Sequence, residues 1–284
     1  MKFEPLACSE EWIKRYEDLF RACFPSATHL NREYLTWLYT GNPAGEMLGF
    51  NAWDEDEQRV AAHYACLPCN LVLSGEPVRG LLAVLSATHP AYQGQGLFPK
   101  LAGLTYEHLE SERYACVYGV GNALSTPPLV NKVGFQLVSQ LDARVCLLAP
   151  KIDLPAAREA AEFYRPWTAA ELQWRCDNVA NRARLATNPA GQVLIRAPSL
   201  SSLLPVSAPV PGDQLTAEHS ASNLLPSLYM GLVPRGAGRF PLSIRIPERL
   251  KPSPLNLVYK PLATTLRTVN PERVLFGFQD FDAY

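Results

Sequence analysis

The stretch THPAYQGQGLFPKLAGL, Thr88 to Leu104, decides how the rest of the chain is read. An apolar strand pattern, VRGLLAVLSATHP, ends there. Gly94 and Gly96 then alternate with Gln93 and Gln95, and a helical pattern begins at Leu97 and Phe98. The spacing predicts a helix to about Glu112, with Leu97, Leu101, Leu104 and His108 on its buried face. A tight turn, a packing contact or a bound anion would each explain two glycines at that place. Strand, glycine turn and helix together form an anion-binding arrangement. The first helical N–H groups lack intrahelical partners, and the helix dipole adds positive charge there. Glycine lets the backbone curl so that several N–H groups face one anion. The stretch lacks the Lys-Ser/Thr of a nucleotide P-loop and the G-x-G-x-x-G spacing of a dinucleotide site, so neither ATP nor NAD is favoured.

Outward from that stretch, the first half alternates helix and strand signals. FEPLA reads as a short strand. Ser9 caps a helix from Glu10 to Cys23, whose Trp12, Tyr16, Leu19, Phe20 and Cys23 share a face. Asn31 caps a second helix, REYLTWLY, ended by GNPAG. MLGFNAW and RVAAHYACLPCNLVL, joined by the acidic tip DEDEQ, read as an antiparallel pair. After the glycine stretch come a short apolar strand, YACVYGV, a loop with a short helix, NALSTPPLVNKVGF, and a closing strand pair, QLVSQLDARVCLL. A boundary follows at residues 149 to 160. The second half is richer in proline, and two echoes suggest a faded copy of the first. LTWLYTGNPAG at 35 to 45 is echoed by LQWRCDN at 172 to 178 and TNPAG at 187 to 191.

Composition bounds the function. Of 284 residues, 48% are hydrophobic and 19% charged, enough apolar content for a sizeable core without metals or disulfides. The formal net charge of -1 advertises no nucleic-acid partner and no anionic membrane. MKFEPLACSEEW is no secretory leader, and GLLAVLSA is too short to span a bilayer, so the expectation is a cytoplasmic protein. Seven scattered cysteines fit reduced, buried thiols. Cys66 and Cys69 form a C-x-x-C with no second pair at ligand spacing, so no metal is expected.

The motif Gln93-Gly94-Gln95-Gly96-Leu97-Phe98 resembles motif A of the GNAT superfamily of N-acetyltransferases, in the GxGLF form of one subgroup. GVGNALSTPPLVNKVGF resembles that family's motif B, with Asn122 after a strand and a terminal Gly134-Phe135. The resemblance implies a mixed, mostly antiparallel α/β (α+β) sheet flanked by helices over residues 1–149. Residues 150–284 would then be a second, smaller α/β domain, a faded duplicate or a family-specific one, shaping the acceptor site or the oligomer; a homodimer stays open. It implies acetyl-CoA as acyl donor and a small-molecule amine, an amino sugar or a metabolite, as acceptor. Backbone groups of Ser86, Ala87 and Thr88 would hold the pantetheine, and those of Gln93 to Phe98 the pyrophosphate. Asn122 would face the cofactor or the reacting amine. Many members carry a tyrosine four residues before the motif B glycine, which protonates the leaving thiolate. Here that position is Val130. A replacement acid or base is then sought at Tyr118, at His63 or Tyr64, or at Ser125 and Thr126, each of which also has an ordinary core or capping role. Without a replacement, the chain would be an inactive acyl-CoA-binding protein or scaffold.

Overall fold

The computed structural model describes residues 1–110, 114–199, 204–213, 215–217, 219–220, 226–262 and 268–282. The chain builds two large, mixed and mostly antiparallel sheets with helices against their faces. Its first strand, β1 (Lys2–Pro5), leads into α1 (Glu10–Cys23), where Ser9 accepts from the Trp12 N–H at 3.4 Å. In α2 (Arg32–Thr40), Asn31 accepts from the Tyr34 N–H at 3.0 Å. Each side chain satisfies an orphan N–H, which is why the helices begin where the sequence expects. The meander β2 (Leu48–Asp54), β3 (Arg59–Leu73) and β4 (Glu76–Thr88) follows. Next are α3 (Leu97–Glu110), β5 (Cys116–Gly121) and β6 (Gln136–Gln140). The α3 stripe is Leu97, Leu101, Thr105 and Leu109; Leu104 is half-buried and His108 exposed, because the stripe steps by four residues rather than by three. The expected end of that helix near Glu112 lies outside the described residues.

Ile13, Tyr16, Phe20, Leu35 and Leu38 from α1 and α2 cover one face of the first sheet. Leu97, Leu101, Tyr106 and Leu109 from α3 cover the other. A strand places alternate side chains on opposite faces, so Cys66 and Cys69, three residues apart on β3, enter different cores. The C-x-x-C is two separate buried thiols.

The closing strand pair of the first half does not form. β6 stays with the first sheet, whereas β7 (Asp142–Cys146), one residue further on, joins the second. That sheet is built mainly from β8 (Arg184–Thr187), β9 (Val193–Ala197), β10 (Val206–Pro209), β11 (Ser227–Leu232) and β12 (Ser243–Arg245). In return, β13 (Asn256–Pro261) leaves the second half and fits between β5 and β6. The first sheet runs β1-β2-β3-β4-β5-β13-β6, and the second runs β8-β9-β10-β11-β7-β12, with His219–Ser220 beside β8. In both, an antiparallel meander is followed by one parallel pair, β4–β5 or β10–β11, and then by two antiparallel pairs. The two sheets share this order, and each holds one strand from the other half of the chain. α5 (Ala169–Cys176), which follows α4 (Leu154–Ala160), is the counterpart of α2. Trp37 and Trp174 stack at 4.9 Å, and each indole N–H donates to the other's carbonyl, at 3.0 and 3.2 Å. The tryptophan echo in the sequence is thus a symmetric contact. The NPAG echo is not, since residues 42–45 precede β2 while residues 188–191 turn from β8 to β9.

Candidate active site

The site begins with a bulge. Ala65 pairs with Val84 and His63 with Ala87, so Tyr64 alone faces two residues, Leu85 and Ser86. Leu85 takes φ 44°, in the left-handed region that a branched side chain rarely adopts. A bulge bends its strand and sharpens the twist. Beyond it β4 diverges from β5, and their parallel pairing stops at Leu82 with Tyr118. Backbone groups of β4 that would have bonded to β5 are left facing the gap. That gap is a cleft of about 760 Å³, walled on one side by Ser86, Ala87 and Thr88 and on the other by Gly119, Val120 and Asn122.

At the cleft's end the chain turns through Pro90–Tyr92, where His89 accepts from the Ala91 N–H and caps the turn. The Tyr92 hydroxyl donates to Asp54 at 2.6 Å, fixing the turn to the acidic hairpin tip. Gly94 and Gly96 then adopt φ 79° and 72°. A Cβ built on either would meet nothing within 4 Å. Packing therefore does not demand glycine here; the left-handed backbone does. The first intrahelical bond runs from Lys100 N–H to Gly96 C=O at 3.4 Å. Leu97 and Phe98 thus present N–H groups with no helical partner, and Pro99 has none to present. Gln93 and Phe98 line the cleft beside them, while Gly94, Gln95 and Gly96 are exposed. This helix start can hold an anion on backbone donors alone. Among the described residues no cluster of histidine, cysteine, aspartate and glutamate could hold a metal.

Of the residues expected to do chemistry, Asn122 is at the cleft wall. Its Oδ1 accepts from Leu124 N–H, Ser125 N–H and the Ser125 hydroxyl, at 2.9, 2.9 and 3.1 Å. It builds the turn into Thr126–Pro128, and the Thr126 hydroxyl donates back to the Asn122 carbonyl at 2.8 Å. Ser125 lines the cleft but is tied to Asn122; Thr126 is buried.

Tyr118 and His63 are corrected by the structure to core residues. Neither lines the cleft. Tyr118 is fully buried and donates to the Asp280 carbonyl at 2.8 Å. His63 lies on the opposite face of β3 from Tyr64, under α1 and α2, 2.7 Å from both the Tyr39 hydroxyl and Asn51 Oδ1. Asn51 donates its Nδ2 to the Tyr16 hydroxyl, and Tyr16 donates to the Ala7 carbonyl. That chain assigns Nδ1 of His63 as donor to Asn51 and Nε2 as acceptor from Tyr39. Burial pushes the His63 pKa down to about 3, so the ring is neutral. Tyr64 is buried in the other core and bonds to the Tyr106 hydroxyl.

The motif B helix carries a second surprise. Residues Leu129–Val133 form a π turn, closed by Gly134 at φ 81° donating to the Leu129 carbonyl. The extra residue shifts the helix phase, so Pro128 and Leu129 line the cleft while Val130 packs against the α3 core. Neither position carries a proton donor.

One functional group was missed by the sequence reading. Asp282 is the one charged side chain, among the described residues, that lines the cleft. Its Oδ1 accepts from the Tyr34 hydroxyl at 2.6 Å. Burial holds its pKa above the usual carboxylate range, against the opposing pull of Tyr34, Arg175 and His29. It comes from the far end of the chain. β14 (Phe276–Gly277) pairs with β11 at Gly231 and Leu232, in the gap of the second sheet that corresponds to the cleft of the first. A side chain at Gly231 would collide with the Phe276 carbonyl at 2.1 Å. From there Asp280 accepts from Gly277 N–H and Trp167 Nε1–H, at 2.7 and 2.8 Å, and Arg175 donates to the Phe281 carbonyl at 3.0 Å. The tail thus plugs one cleft and delivers a carboxylate to the other. A final FQDFDAY gives no motif by which sequence alone would find it.

Residues 7–138 match the family described as "Acetyltransferase (GNAT) domain". No curated protein matches the sequence. Among solved structures, a conserved Enterococcus faecalis protein described as a probable N-acyltransferase is similar with a TM-score of 0.55 and 10% identity, over 92% of this chain and 73% of that one. A GCN5-related N-acetyltransferase from Anabaena variabilis gives 0.55 and 13%, over the same shares. Eis1 from Mycobacterium abscessus gives 0.51 and 13%, over 74% of this chain and 59% of that one. At such identities the likeness speaks for the fold, and in the first two it spans most of both sheets. The bulged β4, the divergent β5 and the glycine turn all fall within residues 7–138, the part of the chain that matches the GNAT acetyltransferase domain.

Proposed function

We propose that the chain moves an acetyl group from acetyl-CoA to a small-molecule primary amine, by direct attack with no covalent enzyme intermediate. The observation that carries this reading is the continuity of the cleft with the glycine turn. The free edge of β4 at Ser86 to Thr88 suits the amide groups of a pantetheine arm. The N–H groups from Gln93 to Phe98 suit its pyrophosphate, and Gly94 and Gly96 leave open space where a phosphate would lie. Acetyl-CoA supplies the activated thioester. The protein's part is to hold the amine against that carbonyl and to exclude competing orientations. No tyrosine stands on the motif B helix, so the departing thiolate takes its proton from the attacking nitrogen or from water. That absence favours one other reading, a protein that binds acyl-CoA without turning it over.

The test is thermal unfolding with and without acetyl-CoA, for the parent and for Gly94→Trp and Gly96→Trp. Ligand at about 100 times its Kd should stabilise the parent by about 2.7 kcal/mol. A tryptophan at either position fills the open space on a strained backbone, and the folded variants should show no shift. An unshifted parent at saturating ligand would end the acyl-CoA reading. A shift with no CoA release on any amine would favour the binding protein.

A further inference from the structure

We propose that the acceptor is a primary monoamine with an apolar body, its ammonium held on Asp282 and its carbon skeleton against Phe24 and Phe281. This rests on the acyl-transfer reading and narrows it. Asp282 stands alone as a charge in the cleft among the described residues, and the sign is negative. The phosphates of an acyl-CoA donor gain nothing from a carboxylate, so its place is at the acceptor end. The bond from Tyr34 fixes Oδ1, and Oδ2 accepts no hydrogen bond from any of the described residues. The titratable groups facing it are Tyr34 and Tyr39 on α2, His29 before that helix, and Arg175 on α5. Arg175 is turned to the Phe281 carbonyl and makes no ion pair with the carboxylate. Oδ2 is therefore free for a ligand cation.

The surroundings set the rest of the molecule. Phe24, at the end of α1, keeps 41% of its surface exposed although it lines the cleft, and Phe281 and Leu255 line it too. A sugar would need several partners for its hydroxyls, and unpaired buried hydroxyls are costly. A polyamine would need several carboxylates. One carboxylate beside aromatic rings fits a single ammonium on an aryl or alkyl group. The proton balance follows. The ammonium gives one proton to Asp282. The neutral nitrogen bonds to the acyl carbon, the carbon–sulfur bond breaks, and the second nitrogen proton passes to the thiolate. Asp282 then returns its proton to solvent.

The test titrates phenethylamine, glucosamine and spermidine, by calorimetry, into the full chain with and without CoA, for the parent, Asp282→Asn and Asp282→Glu. Phenethylamine should bind the parent at least about tenfold more tightly than the other two. Asp282→Asn should weaken it by about tenfold or more, and Asp282→Glu should recover part of the loss. CoA affinity should be the same in all three proteins. Tighter binding of glucosamine or spermidine, or unchanged phenethylamine binding in folded Asp282→Asn, would overturn the proposal. Failure of the parent to bind CoA would instead count against the acyl-transfer reading, and the titrations without CoA still decide the role of Asp282.

Discussion

His63 shows how a residue chosen for its chemistry can belong to the core. Both ring nitrogens are bonded and the ring is buried. In the unfolded chain it takes up a proton near its ordinary pKa of 6.5; in the folded chain it resists down to about 3. Between those values the unfolded state binds the extra proton. The stability His63 contributes is therefore complete above the upper value and is lost as pH falls toward the lower. Near pH 4.5 the loss should be about 2–3 kcal/mol. Asp280, which burial raises to about 6, acts in the opposite direction, because the folded state then binds the extra proton. Comparison with a variant is what isolates the histidine. Urea midpoints measured down an acid series should fall more steeply for the parent than for His63→Gln. Parallel slopes would mean that the ring is not held neutral. The same geometry explains why alternation could not choose between His63 and Tyr64. Both faces of β3 are covered by helices, so neither face is marked polar.

Among elements, those fixed by short-range chemistry were legible. Ser9 and Asn31 announced their helices, and the glycine stretch announced a turn that the backbone angles bear out. The π turn at Leu129–Val133 was not legible. Proline and valine can accompany an ordinary turn as well, and counting back from Gly134 in steps of an α-helix gives the wrong cleft residue. Asn122 joins the legible and the hidden parts, since its Oδ1 organises the turn while the residue also walls the cleft. Two substitutions separate those tasks. Asn122→Ala removes the acceptor and should cost about 1 kcal/mol of stability, as lost caps do. Asn122→Asp keeps the acceptor and should melt near the parent temperature. Its added negative charge should still weaken the binding of anionic CoA, by about 0.3–1 kcal/mol if the carboxylate stays exposed. Thermal melts without ligand and CoA titrations on both proteins check this. Equal CoA affinity for Asn122→Asp and the parent would place the residue outside the ligand's field.

At the scale of the whole molecule, the strand exchange decides what can fold. QLVSQLDARVCLL reads as a hairpin because an inner strand has the same apolar pattern whichever sheet it joins. Its partner is a long-range fact that local sequence does not carry. The exchange makes each half incomplete. Residues 1–149 alone would leave the slot between β5 and β6 empty, exposing both edges and the core under Leu257 and Val258. They would also present β7 with no sheet to join. Residues 150–284 alone would lack β7 between β11 and β12 and carry β13 unpaired. The tail adds a further tie, since Asp280 and Phe281 are held by Trp167, Tyr118 and Arg175 from both halves. Neither half should therefore fold alone, although the motifs of the first all lie within residues 1–149. Expressed separately, each should show weak near-ultraviolet circular dichroism and fast amide exchange. Mixed or co-expressed, they should recover one cooperative transition, because the missing strand of each is the spare strand of the other. A stable, cooperatively melting fragment of residues 1–149 would show that β7 can fold back beside β6 and that the exchange is not required.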